Sequence, residues 1–165
     1  MRGSRVPRHC GGMQPHGKPR GSRSQLTVPG PPSEVLELLT EPGAIARWAP
    51  VPFEILELEG GRLHAGSRAR VAGHLAERRV ESEVVVLDAS EQQLTLVARG
   101  PISLDVQYLL RPARGGSEVD ASVSIEGHGL FGRLLAKATE ALLAAGALRS
   151  SLERLGRELE PALTA

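Results

Sequence analysis

The fold of this chain is indicated first by residues 130–160, which read LFGRLLAKATEALLAAGALRSSLERLGRELE. Apolar side chains recur there in steps of three or four, the period of an α-helix, at Leu134, Ala138, Leu142, Ala145, Leu148, Leu152, Leu155 and Leu159. One helix over this stretch would be about 45 Å long, at about 1.5 Å per residue. Its N-terminal half is rich in small residues, namely Ala136, Ala138, Ala141, Ala144, Ala145, Gly146 and Ala147. A helix with so little side-chain volume can leave an apolar hollow beside a sheet, and such hollows bind small molecules.

The charge of the 165-residue chain is unevenly distributed. Residues 1–24 contain basic side chains and no acid, whereas the rest of the chain carries all 19 acidic residues. We predict a disordered basic tail over residues 1–24 and a single domain over residues 25–160. The tail is either an arm for phosphate or acidic partners, or an incidental extension before a start at Met13. The acidic balance of the domain argues against nucleic-acid binding through its surface.

Several classes of site and location are disfavoured by composition. Cys10 is the single cysteine, so neither an intramolecular disulfide nor a multi-cysteine metal site is possible. The five histidines lack metal-site spacing, and we expect no metal and no cofactor. No run approaches the roughly 20 apolar residues of a membrane span. The basic N-terminus is not followed by an apolar signal segment, so we expect a cytoplasmic protein. The sequence leaves the oligomeric state open.

Between the tail and the final helix, the sequence predicts a short strand, two short helices and several hairpin-linked strands. Ser33 is the expected N-cap of the first helix, and the second spans Ala44 to Trp48. Pairing Leu75 with Arg78 places apolar groups on one face of the sheet, with Ala69 opposite Val84.

The same alternation predicts which side chains of the next hairpin face inward, but it does not decide the inward face of residues 94–99. Tyr108 would lie inward near Ala121. For residues 94–99, a two-residue turn directs Arg99 inward, whereas a three-residue turn directs Leu94, Leu96 and Ala98 inward. Hydrophobicity favours the three-residue turn.

The candidate ligand-contacting residues lie where inward strands would face the long helix. They are Trp48, Val71, Ser82, Val84, Val106, Tyr108, Ala121, Val123, His128, Ala138 and Leu142. Ser82 and Tyr108 could orient a polar end of a ligand, although a core tyrosine bonded to a backbone carbonyl is an equal alternative. His128 could act as an acid or base, but a solvated turn histidine is the commoner case. Glu81 and Glu83 are expected to face outward beside Arg70 in a solvated ion pair. No catalytic residue is assigned.

Several segments resemble the START-like (SRPBCC) superfamily, especially its polyketide cyclase/dehydrase branch. The stretch PSEVLELLTEP at residues 32–42, followed by Trp48, resembles the family's opening helix. Residues 66–68 resemble its Gly-x-Arg strand entry, and residues 115–119 its Gly-Thr hairpin turn with serine in place of threonine. Residues 129–135 and 151–155 resemble the closing helix. The resemblance covers about residues 25–160.

This resemblance implies an α+β helix-grip fold, in which a curved antiparallel sheet wraps a long C-terminal helix. Relatives include cyclases, lipid carriers and partners of other proteins, so the fold leaves function open. The hypothesis we favour is binding of a small hydrophobic molecule, such as a lipid, isoprenoid or polyketide-like ring system, between sheet and helix. The alternatives are a cyclase or dehydratase that uses the same cavity, and a protein-interaction partner with a vestigial cavity.

Overall fold

The computed structural model describes residues 21–50 and 52–160. The described elements are, in chain order, β1 (Gly21–Val28), α1 (Pro32–Thr40), α2 (Pro42–Trp48), β2 (Phe53–Leu58), β3 (Arg68–Leu75), β4 (Arg78–Ala89), β5 (Gln93–Arg99), β6 (Ile102–Ala113), β7 (Gly116–Gly127), α3 (Gly129–Ala144) and α4 (Ala147–Leu159). The strands form one antiparallel sheet in the order β1-β7-β6-β5-β4-β3-β2. The sheet is curved, and the predicted helix-grip fold is confirmed.

Both short helices begin at a proline. Pro32 opens α1 and Pro42 opens α2, each in the first turn. Proline suits this position because its fixed φ is already helical and its missing N–H would have no intrahelical partner. The prediction of Ser33 as N-cap is therefore wrong, since Pro31 precedes the helix and Ser33 lies inside its first turn.

The predicted pairing of β3 with β4 is confirmed. Leu75 pairs with Arg78, Val71 with Ser82 and Ala69 with Val84. The open question at β5 is also resolved, because Arg99 pairs with Ser103 and the turn therefore has three residues. Leu94 and Ala98 are buried, while the Arg99 side chain is exposed. The inner face, which we define as the face turned toward the helices, is thus mainly apolar along the strands from β3 to β7.

Strand β1 begins at Gly21, four residues before the expected start of order at Gln25. Each residue from Gly21 to Val28 pairs with β7, so the sheet extends into the predicted tail. Arg23 reinforces this pairing, because its guanidinium forms a two-pronged ion pair with the buried carboxylate of Asp120. The remainder of the predicted tail, including Cys10, lies outside the described residues.

Asp120 makes the stability of the sheet sensitive to acid. The hydrogen bonds from Arg23 hold the pKa of the Asp120 carboxyl below its ordinary value. Because this pKa is lower in the folded state than in the unfolded chain, where it is about 3.9, the ionised carboxylate stabilises the fold at pH values above about 3.9. That stabilisation is lost as the pH falls through the folded-state pKa. We therefore expect Asp120→Asn to have a lower urea midpoint of unfolding than the parent at pH 7. Below pH 4, the urea midpoint of the variant should fall less steeply with pH than that of the parent.

The matched control is Asp105→Asn, because the Arg99–Asp105 pair is exposed on both sides. Exposed pairs contribute little, so this variant should unfold like the parent at every pH. Equal urea midpoints of Asp120→Asn and the parent at pH 7 would rule out the assigned contribution of the Arg23–Asp120 pair.

The C-terminal helix is divided in two, and one long helix from Leu130 to Glu160 is not observed. Gly146 separates α3 from α4 and has a left-handed backbone, with φ of 95°. Glycine is the residue that adopts this conformation without steric cost. In α4 the predicted inward positions Leu148, Leu152 and Leu155 are buried.

In α3 the predicted inward face is wrong. The buried residues are Gly132, Leu135, Ala136, Thr139 and Leu143. By contrast, Leu134 and Leu142 are 57% and 43% exposed, Ala145 is exposed, and Ala138 is half-buried. The reason is close packing at the helix start: a Cβ on Gly132 would lie 2.3 Å from the carbonyl oxygen of Pro101. The face that contains Gly132, Leu135 and Leu143 therefore turns toward the sheet, and Leu134 and Leu142 turn away from it.

Candidate functional site

The inner face of the sheet has a filled half and an open half. The filled half lies beneath α1, α2 and α4, and its fully buried side chains include Val35, Leu39, Val119, Leu152 and Leu155. The open half lies on β3 to β6, next to the buried inner residues Ala69, Val80 and Ala98. We define it by five half-buried inner side chains: Val71, Ser82, Val84, Leu96 and Val106. Four of these five are apolar.

Helix α3 borders this open half along one flank. It packs mainly on β7, through its buried residues. Glu140 and Ala144, on one side of the helix, border a recess with Gly21 and Ser22 of β1. Since β6 to β3 lie on the other side of β7, the opposite side of α3 faces the open half.

That opposite side carries Phe131, Ala138 and Leu142, which share one flank at about 100° per residue. We call these three residues the apolar flank. The Arg78 guanidinium carbon lies 5.5 Å from the centroid of the Phe131 ring, so the β3–β4 hairpin reaches the start of α3. The apolar flank and the open half thus lie on the same side of β7, and we call the region between them the groove.

Six of the predicted ligand-contacting residues lie at this groove. Val71, Ser82, Val84 and Val106 belong to the open half, and Ala138 and Leu142 belong to the apolar flank. Sequence analysis missed Phe131 and Arg78 as members of the site. The apolar pair Leu130-Phe131 at the start of α3 was a signal in the sequence for Phe131. Nothing in the sequence linked Arg78 to that helix.

Four predicted residues lie in the packed core next to the groove: Trp48, Tyr108, Ala121 and Val123. The Trp48 indole N–H donates to the carbonyl oxygen of Leu38 at 3.1 Å, and its ring meets the Tyr108 ring edge to face at 5.9 Å. Trp48 is therefore a core residue that packs against Tyr108. Tyr108 pairs with Ala121 as predicted and follows Val106 along the inner face.

Tyr108 is the single buried ionisable side chain on the described inner face of β3 to β7. Burial raises the pKa of its phenol above the ordinary value, with no charged group contributing. The phenol therefore stays protonated at physiological pH. It can donate a hydrogen bond, but it cannot serve as a general base.

His128 lies away from the groove. Its exposed ring forms a hydrogen bond of 2.9 Å between Nε2 and the hydroxyl of Ser103. Ser103 shares a strand face with Asp105, opposite the face of Val106. The structure thus places this histidine at the end of the sheet and does not bring it to Tyr108 or Ser82.

The outer face of the sheet carries a second, charged recess of about 480 Å³. Of the predicted site residues only Ser82 borders it, and its lining includes three arginines and four glutamates. Glu83 pairs with Arg68 at 3.6 Å and Glu57 with Arg70 at 3.2 Å, so Arg70 is not the ion-pair partner of Glu83. Two of the four glutamates of this recess are thus paired with arginines of the same recess.

Within residues 21–50 and 52–160, no group of three or more histidine, cysteine or acidic side chains is arranged to hold a metal ion. No helix in this part of the chain is long and apolar enough to cross a membrane.

A curved antiparallel sheet with C-terminal helices packed against its inner face defines a helix-grip protein. The chain belongs to the family described as polyketide cyclase / dehydrase and lipid transport, whose sequence profile matches residues 21–160. This places it in the START-like (SRPBCC) superfamily, as the sequence motifs indicated. No curated protein matches the chain in sequence.

Solved structures confirm the fold. Protein CV1439 of Chromobacterium violaceum is 18% identical with a TM-score of 0.63, over 86% of this chain and 98% of that one. Protein TTHA0849 of Thermus thermophilus is 21% identical with a TM-score of 0.60, over 84% and 96%. DynU16, from the dynemicin biosynthetic locus, is 20% identical with a TM-score of 0.55, over 85% of this chain and 47% of that one. At these identities the similarity concerns the fold.

Proposed function

We propose that this protein binds a small hydrophobic molecule in the groove between the open half of the sheet and the apolar flank of α3. The observation that carries the proposal is the exposure of apolar side chains on both walls. Leu142 is 43% exposed on the helix, and Val71, Val84, Leu96 and Val106 are half-buried on the sheet. A concave apolar surface with a few polar groups is the usual form of a small-molecule site.

The polar groups at the groove are placed to orient a ligand by hydrogen bonding to its polar end. Ser82 offers a hydroxyl on the inner face, beside the tight turn where a Cβ on Gly100 would lie 2.7 Å from the Ser82 Oγ. Tyr108 offers a protonated phenol at the border with the core. A lipid, an isoprenoid or a polyketide-like ring system has the required chemistry, a largely apolar body with one polar end.

Binding is favoured over catalysis for one physical reason. A cyclase or dehydratase needs an acid and a base that can exchange protons near neutral pH. Burial keeps Tyr108 protonated, and His128 bonds Ser103 on the other side of the sheet. The described residues at the groove therefore include a hydrogen-bond donor, Tyr108, but no general base to act with it.

Native mass spectrometry of the full chain tests this function. After incubation with a lipid extract and removal of unbound lipid, we expect an adduct of one small apolar molecule on the 17.5 kDa chain. The matched comparison is the same protein carrying Val84→Trp, in which an indole should occupy the groove and suppress the adduct. An unmodified mass in both samples, or an equal adduct in both, would contradict binding in this groove.

A further inference from the structure

The first turns of α3 carry a second apolar surface outside the groove. Leu130 is 87% exposed and Leu134 is 57% exposed, the two largest values among the exposed large hydrophobic residues of the described chain. At about 100° per residue they lie next to each other on the helix, adjacent to the apolar flank. Adjacent exposed leucines of this kind mark an interaction site more often than isolated ones do.

Basic side chains lie on both sides of these leucines. Arg133 and Lys137 follow them on the side of the helix away from the groove, by helical spacing. On the other side, Arg78 of the β3–β4 hairpin reaches Phe131. None of the three cations forms an ion pair within residues 21–50 and 52–160. Glu77 in the neighbouring turn and Glu140, three residues after Lys137, contribute two carboxylates, so the three cations outnumber the acids. We call Leu130, Leu134 and these three cations the α3 patch.

We propose that the α3 patch docks this protein on an anionic lipid surface, so that the groove loads or unloads its apolar ligand there. The inference rests on the proposed function. Leucines at a helix surface can enter the boundary between headgroups and acyl chains, while arginine and lysine pair with anionic headgroups. A second copy of this chain fits less well, because a two-fold contact through the patch would bring the same cations together.

The position of the patch agrees with this use. The apolar flank and the α3 patch are neighbouring strips of the same helical turns, so a docked α3 would hold the groove entrance at the lipid surface. An apolar ligand could then pass between membrane and groove with little exposure to water. That path removes the cost of leaving apolar surface in water during transfer.

Vesicle co-sedimentation of the full chain tests the proposal. The two vesicle types are phosphatidylcholine alone and phosphatidylcholine mixed with phosphatidylglycerol. We expect binding to the anionic vesicles, and at about 1 M salt, where the Debye length is about 3 Å, we expect that binding to weaken strongly. Leu130→Ser/Leu134→Ser should lower the vesicle partition coefficient at least about tenfold, since two leucines would no longer be buried.

The matched controls use the same residue types elsewhere. Leu87→Ser removes a leucine that is 55% exposed on β4, and it should bind vesicles like the parent. Arg133→Gln/Lys137→Gln should lower binding about tenfold, whereas Arg114→Gln, at the β6–β7 turn, should not. Residues 1–20 are present in every variant, so differences between variants report on α3.

Three outcomes would overturn the proposal. The first is equal vesicle binding by the parent and Leu130→Ser/Leu134→Ser, and the second is no binding to anionic vesicles. The third is a dimer in sedimentation equilibrium that the double serine variant abolishes. The binding of N-phenyl-1-naphthylamine without vesicles is measured on the same samples. Retained dye binding with no vesicle binding overturns docking alone, while no dye binding overturns the proposed function.

Discussion

Val84→Trp should lower the affinity for N-phenyl-1-naphthylamine at least about tenfold, a loss of about 1.4 kcal/mol. Val84 is a half-buried residue on the inner face, opposite Ala98 of β5. Its side chain ends in the open half, so an indole there would fill the groove instead of the packed core. We therefore expect the thermal unfolding midpoint to change by only a few degrees. Fluorescence titration gives the affinity, and circular dichroism gives the midpoint.

Val85→Trp is the matched control, because Val85 is also half-buried but faces the other side of the same strand. The same change in volume should leave dye affinity at the parent value. If both variants bind the dye as tightly as the parent, the ligand does not lie in the groove. If both lose binding equally, the effect arises from distortion of β4 and the assignment of the groove is wrong.

Gly132→Ala should destabilise the protein by about 3 kcal/mol, an overpacking cost at the upper end of the usual range. Gly132 is buried where α3 starts, and its added Cβ would lie 2.3 Å from the carbonyl oxygen of Pro101. The neighbour is backbone at a tight turn, so it cannot move aside as a flexible side chain would. The helix itself would have to shift away from β7, which would also widen the groove.

Gly156→Ala in α4 provides the contrast. The added Cβ would lie 3.4 Å from the Cγ1 atom of Val28, an ordinary contact. Here the gain in helix propensity, about 1 kcal/mol, should make the variant as stable as the parent or more stable. Urea denaturation of both variants checks the pair of predictions. Equal stability of Gly132→Ala and the parent would show that α3 does not pack against the 100–101 turn as described.

The strand register could be predicted because it depends on local alternation. Pairing Leu75 with Arg78 separates charged from apolar residues, and a slip by one residue would mix them. The inward direction of Leu94 and Ala98 followed from the same rule once hydrophobicity selected the longer turn. Family motifs added the order of the elements, and the structure confirms the fold that they implied.

The rotation of α3 could not be predicted, because it is set by a contact distant in sequence. Periodicity favoured Leu134 and Leu142 as inward residues, since a continuous helix would align them with Leu148 and Leu152. The left-handed Gly146 breaks that continuity, and the close approach of Gly132 to Pro101 fixes the first half separately. The same limit hid the contact between Arg78 and Phe131, which joins a hairpin turn to a helix.

Methyl-selective NMR during titration with N-phenyl-1-naphthylamine shows which side chains an apolar ligand contacts. We predict the largest shift changes at the methyl groups of Val71, Val84, Leu96, Val106 and Leu142. We predict unchanged shifts at Val85 and Val97, which lie on the outer face of the same strands. Shift changes confined to the outer-face valines, or no changes anywhere, would contradict an apolar groove between the sheet and α3.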